Sequence, residues 1–88
     1  MGKYEEALAS YQEVLKIRRE RTLLSNQHPS IAKTLNNIGN VYFQMGKTED
    51  ALLNYNESLK IYRETLPSNH YSIANTLFNI EIIKKIKS

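Results

Sequence analysis

The 88-residue chain contains no cysteine, so disulfide staples, thiolate nucleophiles and thiolate metal ligands are all excluded. That fits a cytoplasmic setting. No apolar run approaches the about 20 residues that cross a bilayer, and the charged stretch from Lys3 to Glu6 does not begin a signal peptide. A strong charge of one sign is also missing. The 12 basic and 9 acidic residues leave a net +3 spread along the whole chain, too mild and too mixed to argue for nucleic acid. Period-two alternation and Asn-Gly or Asp-Gly turns are absent, which removes the signals of a hairpin-built sheet. A chain of this length buries a modest fraction of its surface, so its core is marginal.

What the chain does have is internal repetition. Gly2-Lys3, Ala7-Leu8, Tyr11, Glu13 and Leu15-Lys16-Ile17 return as Gly46-Lys47, Ala51-Leu52, Tyr55, Glu57 and Leu59-Lys60-Ile61, an offset of 44 residues. A second block, His28 to Ile38, returns at His70 to Ile80 with an offset of 42. Repeats with a period of a few tens of residues stack into solenoids whose usual work is to present a binding surface.

The apolar positions Tyr4, Ala7, Leu8, Tyr11, Val14 and Leu15 follow one helix face. Ser25-Asn26-Gln27 breaks that helix, and Pro29 suits the first turn of the next. Ile31, Leu35, Ile38, Tyr42 and Met45 line one side of the second helix until Gly46 ends it. The third repeats the first, with Ala51, Leu52, Tyr55, Leu59 and Tyr62 inward, and stops at Pro67-Ser68-Asn69. The fourth sets Ile73, Leu77 and Ile80 at the positions of Ile31, Leu35 and Ile38. The pattern predicts an all-α fold of four helices near 3–24, 30–45, 48–66 and 71–86. Connections of a few residues force neighbouring helices to be antiparallel.

Leu35-x-x-Ile38-Gly39-x-x-Tyr42, then Gly46, then Ala51-x-x-x-Tyr55 and Leu59, resembles the tetratricopeptide repeat. The spacing has its own physical logic. Gly39 and Ala51 are small where two helices approach closely, while Tyr42 and Tyr55 fill the space on either side. Leu35, Ile38, Gly39, Tyr42, Ala51, Leu52 and Tyr55 are therefore expected to pack together. The period exceeds the 34 residues of the standard repeat. With His28-Pro29-x-Ile31-Ala32-x-Thr34-Leu35-Asn36-Asn37 and Gly2-Lys3-Tyr4-Glu5-Glu6-Ala7, it resembles the 42-residue type of kinesin light chains and nephrocystin-like proteins. The resemblance implies a single repeat domain over 1–88: a second helix in 1–27, a complete repeat in 28–69 and a first helix in 70–88. The order second, first, second, first leaves both ends without a partner helix.

The repeat fails after Ile80, where Glu81 and Lys84 replace Gly39 and Tyr42. These charges suit a terminal helix whose outer side meets water. Ile82, Ile83 and Ile86 do not suit a polar cap, and stable arrays usually need about three repeats. A piece of a longer array is the expectation that this second observation favours.

At about 100° per residue, Lys33, Asn36, Asn37, Asn40 and Gln44 share a stripe opposite the apolar side of the second helix. The first helix of each repeat lines the concave groove in the family it resembles, which implies that these residues face a bound peptide. A carboxamide can pair with a peptide bond whatever the ligand's side chains. The alternative is compositional, since the chain is rich in Asn generally, including Asn54 and Asn56. On the fourth helix the stripe reads Asn75, Phe78, Asn79, Ile82 and Ile86. Phe78 and Ile82 either form an apolar pocket beside the amides or pack against a further helix or a second chain.

His28 and His70 recur at the same turn of each repeat without a second ligand nearby, which marks a feature of the fold such as a helix cap. No metal and no cofactor is expected. Ser30 and Ser72 lack the base and orienting group that a nucleophile needs. Arg18-Arg19-Arg21 and Lys84-Lys85-Lys87 lie where cations meet helix C-termini. Glu13 with Lys16 and Glu57 with Lys60 are repeated three-apart pairs. The expected function is non-catalytic protein or peptide binding, with no nucleic-acid or membrane partner. The alternative is a structural segment that extends or self-assembles an array through its open ends.

Overall fold

The structure, a computed structural model, describes residues 2–21 and 28–87. Among them the chain forms four α-helices, α1 (Lys3–Arg21), α2 (Pro29–Gln44), α3 (Thr48–Thr65) and α4 (Tyr71–Lys87), and no strand. The all-α class follows, and the boundaries of α2, α3 and α4 lie within one residue of those expected from periodicity. The final residues expected of α1, and the break at Ser25-Asn26-Gln27, lie outside the described residues.

The turns explain why the chain stops and restarts where it does. Gly46, at φ +80°, ends α2 in a Schellman arrangement. Its N–H donates to the Phe43 carbonyl (3.0 Å) and the Lys47 N–H donates to the Tyr42 carbonyl (2.8 Å). Two of the carbonyls orphaned at the helix end are thereby satisfied. Acidic Glu49 and Asp50 then occupy the first turn of α3, the favourable end of the helix dipole. At the close of α3 the Leu66 N–H donates to the Tyr62 carbonyl (2.8 Å), and Pro67 cannot continue the helix.

α3 is the central element, packing most extensively on α2 and also on α4, while α1 covers the other side of α2. Ser58 on α3 meets Ala32 near the start of α2, and Tyr55 meets Asn40 further along it, so α2 and α3 run antiparallel. The principal core holds Ile31, Ala32 and Leu35 of α2, Ala51, Tyr55, Leu59, Ile61 and Tyr62 of α3, and Ile73, Ile80 and Ile83 of α4. Full burial of one such large apolar side chain stabilises by about 1.5–3 kcal/mol. A smaller cluster joins Leu8 of α1 to Ile38 and Val41 of α2, with Ala7, Tyr11 and Met45 at its edge. Leu15 and Tyr42 touch both clusters and tie them together.

The close approach expected at Gly39 is present. A Cβ built there would lie 2.7 Å from Tyr55 Cε1, inside any allowed contact. Ala32 and Ala51 are wholly buried, and Ser58 Oγ donates to the Ala32 carbonyl across the α2–α3 seam at 2.7 Å. One member of the expected packing set sits elsewhere. Ile38 belongs to the cluster shared with α1, not to the α2–α3 seam with Leu35, Ala51 and Tyr55. The reason is angular: α2 is flanked on two sides, so residues three apart on its buried arc serve different neighbours. Glu57 pairs with Arg19 of α1 (2.9 Å), linking the two helices that carry the Ala-Leu, Tyr and Leu-Lys-Ile copies. Lys87 pairs with Glu49 across α3 and α4. Both bridges are exposed and each contributes about 0–1 kcal/mol.

Candidate functional site

Asparagines disfavour helix interiors, and α2 carries three of them. It tolerates them because Ile31, Ala32, Leu35, Ile38 and Val41, all buried, anchor the opposite arc. On the resulting stripe Lys33, Asn40 and Gln44 are exposed, while Asn36 and Asn37 are half-buried. Asn40 is joined to the core: its Oδ1 accepts the hydroxyl hydrogen of Tyr55, a residue only 2% exposed. Burial pushes the Tyr55 phenol up to about 12, so the hydroxyl keeps its proton and serves as donor. One turn earlier, Asn36 also turns its Oδ1 inward, where it is buried without a hydrogen-bond partner.

On α4, Asn75 is exposed, Asn79 and Ile82 are half-buried, and Phe78 and Ile86 are 62% and 60% exposed. Phe78 therefore presents most of its ring to solvent, with Tyr71 exposed two turns before it. The packing residues Leu35, Ile38, Gly39, Ala51 and Tyr55 are buried, and Tyr42 is half-buried.

Each of the two histidines lies just before its helix and accepts at Nδ1. Ser30 N–H donates to His28 and Ser72 N–H donates to His70, both at 3.1 Å. These are side-chain caps of the helix N-terminus, as the repeated position suggested. The copies extend into the first turn, where Thr34 Oγ1 donates to the Ser30 carbonyl and Thr76 Oγ1 to that of Ser72. These contacts run through the Ser30 and Ser72 backbones, and Ser30 Oγ also lies 2.8 Å from His28 Nδ1, so the structure gives Ser30 a neighbouring imidazole where the sequence reading expected none. Among the described residues no three His, Cys, Asp or Glu side chains group closely enough to hold a metal ion, and no helix is long and apolar enough to cross a membrane.

The bond from the Tyr55 hydroxyl to Asn40 is a contact that sequence reading, which assigned Tyr55 to packing alone, did not include. A tyrosine rather than a phenylalanine at a buried position was the available signal, because a buried hydroxyl needs a partner. No curated protein matches the chain. The model of the tetratricopeptide repeat matches residues 1–64 and again residues 31–84. With four helices in paired, repeated packing and that match over most of its length, the chain belongs to the tetratricopeptide repeat family.

Proposed function

We propose that this chain binds an extended peptide or protein segment, without catalysis of its own, along the first helices of its repeats, α2 and α4. Repeats of this family generally mediate protein–protein interaction. The observation that carries the reading is the Asn40 carboxamide, exposed on α2 yet held by the core through Tyr55. A polar group fixed at a surface loses little entropy when it binds. Lys33, Asn36, Asn37, Gln44, Asn75 and Asn79 extend the polar stripe, and Phe78 offers an aromatic anchor. The 42-residue spacing of His28 and His70, each a helix cap, supports the kinesin light chain or nephrocystin-like type of repeat. A cytoplasmic role fits a chain without cysteine.

Asn36→Ala with Asn40→Ala is expected to weaken a bound peptide, by on the order of 0.5–1.5 kcal/mol for each hydrogen bond removed. Asn36→Ala alone should hold or raise helicity, since Ala is the stronger helix former, whereas Asn40→Ala leaves the buried Tyr55 hydroxyl without its acceptor and should lower stability by about 1–3 kcal/mol. Isothermal titration against a library-selected peptide, with circular dichroism of the same samples, checks both. Unchanged affinity would assign the stripe to composition. A second reading, array extension or self-association through open ends, draws on the exposure of Tyr71, Phe78 and Ile86 on α4.

A further inference from the structure

Tyr55 does more than fill space between α2 and α3. Its hydroxyl is buried with the ring, and the acceptor it finds is the side chain of Asn40. That bond has a direction. The phenol carries one hydrogen, and among buried groups an unmet hydroxyl donor is costly. An Asn40 turned the other way would set N–H groups against that hydrogen and leave it without an acceptor. The carboxamide is therefore oriented with its oxygen to the core and its NH2 group away from it, and the exposure of Asn40 makes that group accessible.

We infer that Tyr55 is a positioning residue for recognition: by holding the Asn40 oxygen, it commits Asn40 to donate hydrogen bonds to an acceptor oxygen on the ligand's backbone. The inference rests on the peptide-binding reading of α2 above. It adds a polarity to it, because an asparagine free to rotate would serve a ligand N–H or a ligand C=O equally, whereas this one is set for C=O. It also assigns a role in binding to a residue on α3, a helix outside the proposed binding surface. The high phenol pKa, near 12, keeps the donor protonated throughout the neutral range.

The probe is the tightest dodecapeptide selected on the intact chain from a random display library, made synthetically and titrated against four proteins: wild type, Tyr55→Phe, Asn40→Ala and the double variant. Tyr55→Phe is expected to weaken binding about two- to tenfold, the equivalent of one hydrogen bond. In the Asn40→Ala background the same change should have no further effect on affinity. A merely structural role for Tyr55 would lower affinity equally in both backgrounds, so the cycle separates the two. Asn40→Asp supplies the second arm. It keeps an acceptor for Tyr55 but has no N–H, so it should bind no better than Asn40→Ala.

Wild-type affinity in Tyr55→Phe, or in Asn40→Asp, while Asn40→Ala is weakened, overturns the inference and leaves the peptide-binding reading standing. Wild-type affinity in Asn40→Ala and in Asn36→Ala with Asn40→Ala, or failure to select any peptide, overturns that reading and the inference with it. Should Tyr55→Phe lose helicity, Asn40→Asp decides the polarity by itself.

Discussion

Gly39 lies within α2 and Gly46 at its end, yet different physics holds each of them. At Gly39 the backbone is ordinary α-helix and the obstacle is the Tyr55 ring, 2.7 Å from where a Cβ would sit. Gly39→Leu is expected to cost about 1–3 kcal/mol or more through overpacking, read as a lower urea midpoint. At Gly46 nothing lies within 4 Å, and the obstacle is the backbone itself at φ +80°. Tyr55 has a second consequence at this scale. Its folded phenol, pushed up to about 12 by burial, lies above the value near 10 of an exposed tyrosine. Between those two values the unfolded chain releases a proton that the folded chain retains, so stability is fully present below pH 10 and falls as pH rises toward 12. Urea titrations across this range should show a shallower fall in Tyr55→Phe, with the remainder including Tyr62, whose phenol burial also raises.

Two of the helices begin in the same way, and the repeat explains it. His28 and His70 cap α2 and α4 through Nδ1, each followed by a Ser and then by a Thr bonded back to that Ser's carbonyl. His28→Ala and His70→Ala should each destabilise by about 0.5–2 kcal/mol, and the corresponding Asn variants should recover most of it. Chemical denaturation of the single and paired variants measures this, and near-additivity is expected because the caps lie a full repeat apart. α3 differs, since Lys47 at its start makes no side-chain cap. Its first turn relies on Glu49 and Asp50 and on the preceding Schellman turn. Burial on α3 is also wider than a single stripe: Ser58, Ile61 and Tyr62 are buried along with Ala51, Tyr55 and Leu59. A helix between two neighbours needs apolar or internally bonded residues over more than the one arc that periodicity reveals.

As a whole the molecule measures 36 × 32 × 16 Å between Cα extremes, with a radius of gyration of 13.0 Å. Its two outer helices carry large apolar residues on view: Tyr4, Val14 and Ile17 on α1, and Tyr71, Phe78 and Ile86 on α4. We expect the isolated 88-residue chain to be weakly stable or to self-associate, with a melting temperature that rises with concentration and lies below about 65 °C. Sedimentation and melting over a hundredfold concentration range check it, and Phe78→Ser with Ile86→Ser should weaken any self-association.

The sequence by itself determined the elements and their kinship. Apolar spacing along a helix, Gly46, and the prolines at positions 29 and 67 act within a few residues, so four helices and their order were legible locally. The internal copies then implied that equivalent helices do equivalent jobs, which the histidine caps bear out. Tertiary structure decided which buried residue faces which neighbour. Ile38 went to α1 and Leu35 to α3 because a helix flanked on two sides divides its apolar arc between partners, and no local pattern encodes that division. It also decided the direction of Asn40. A carboxamide's orientation depends on a donor 15 residues away on another helix, and only the folded approach of α2 and α3 brings the Tyr55 hydroxyl to it.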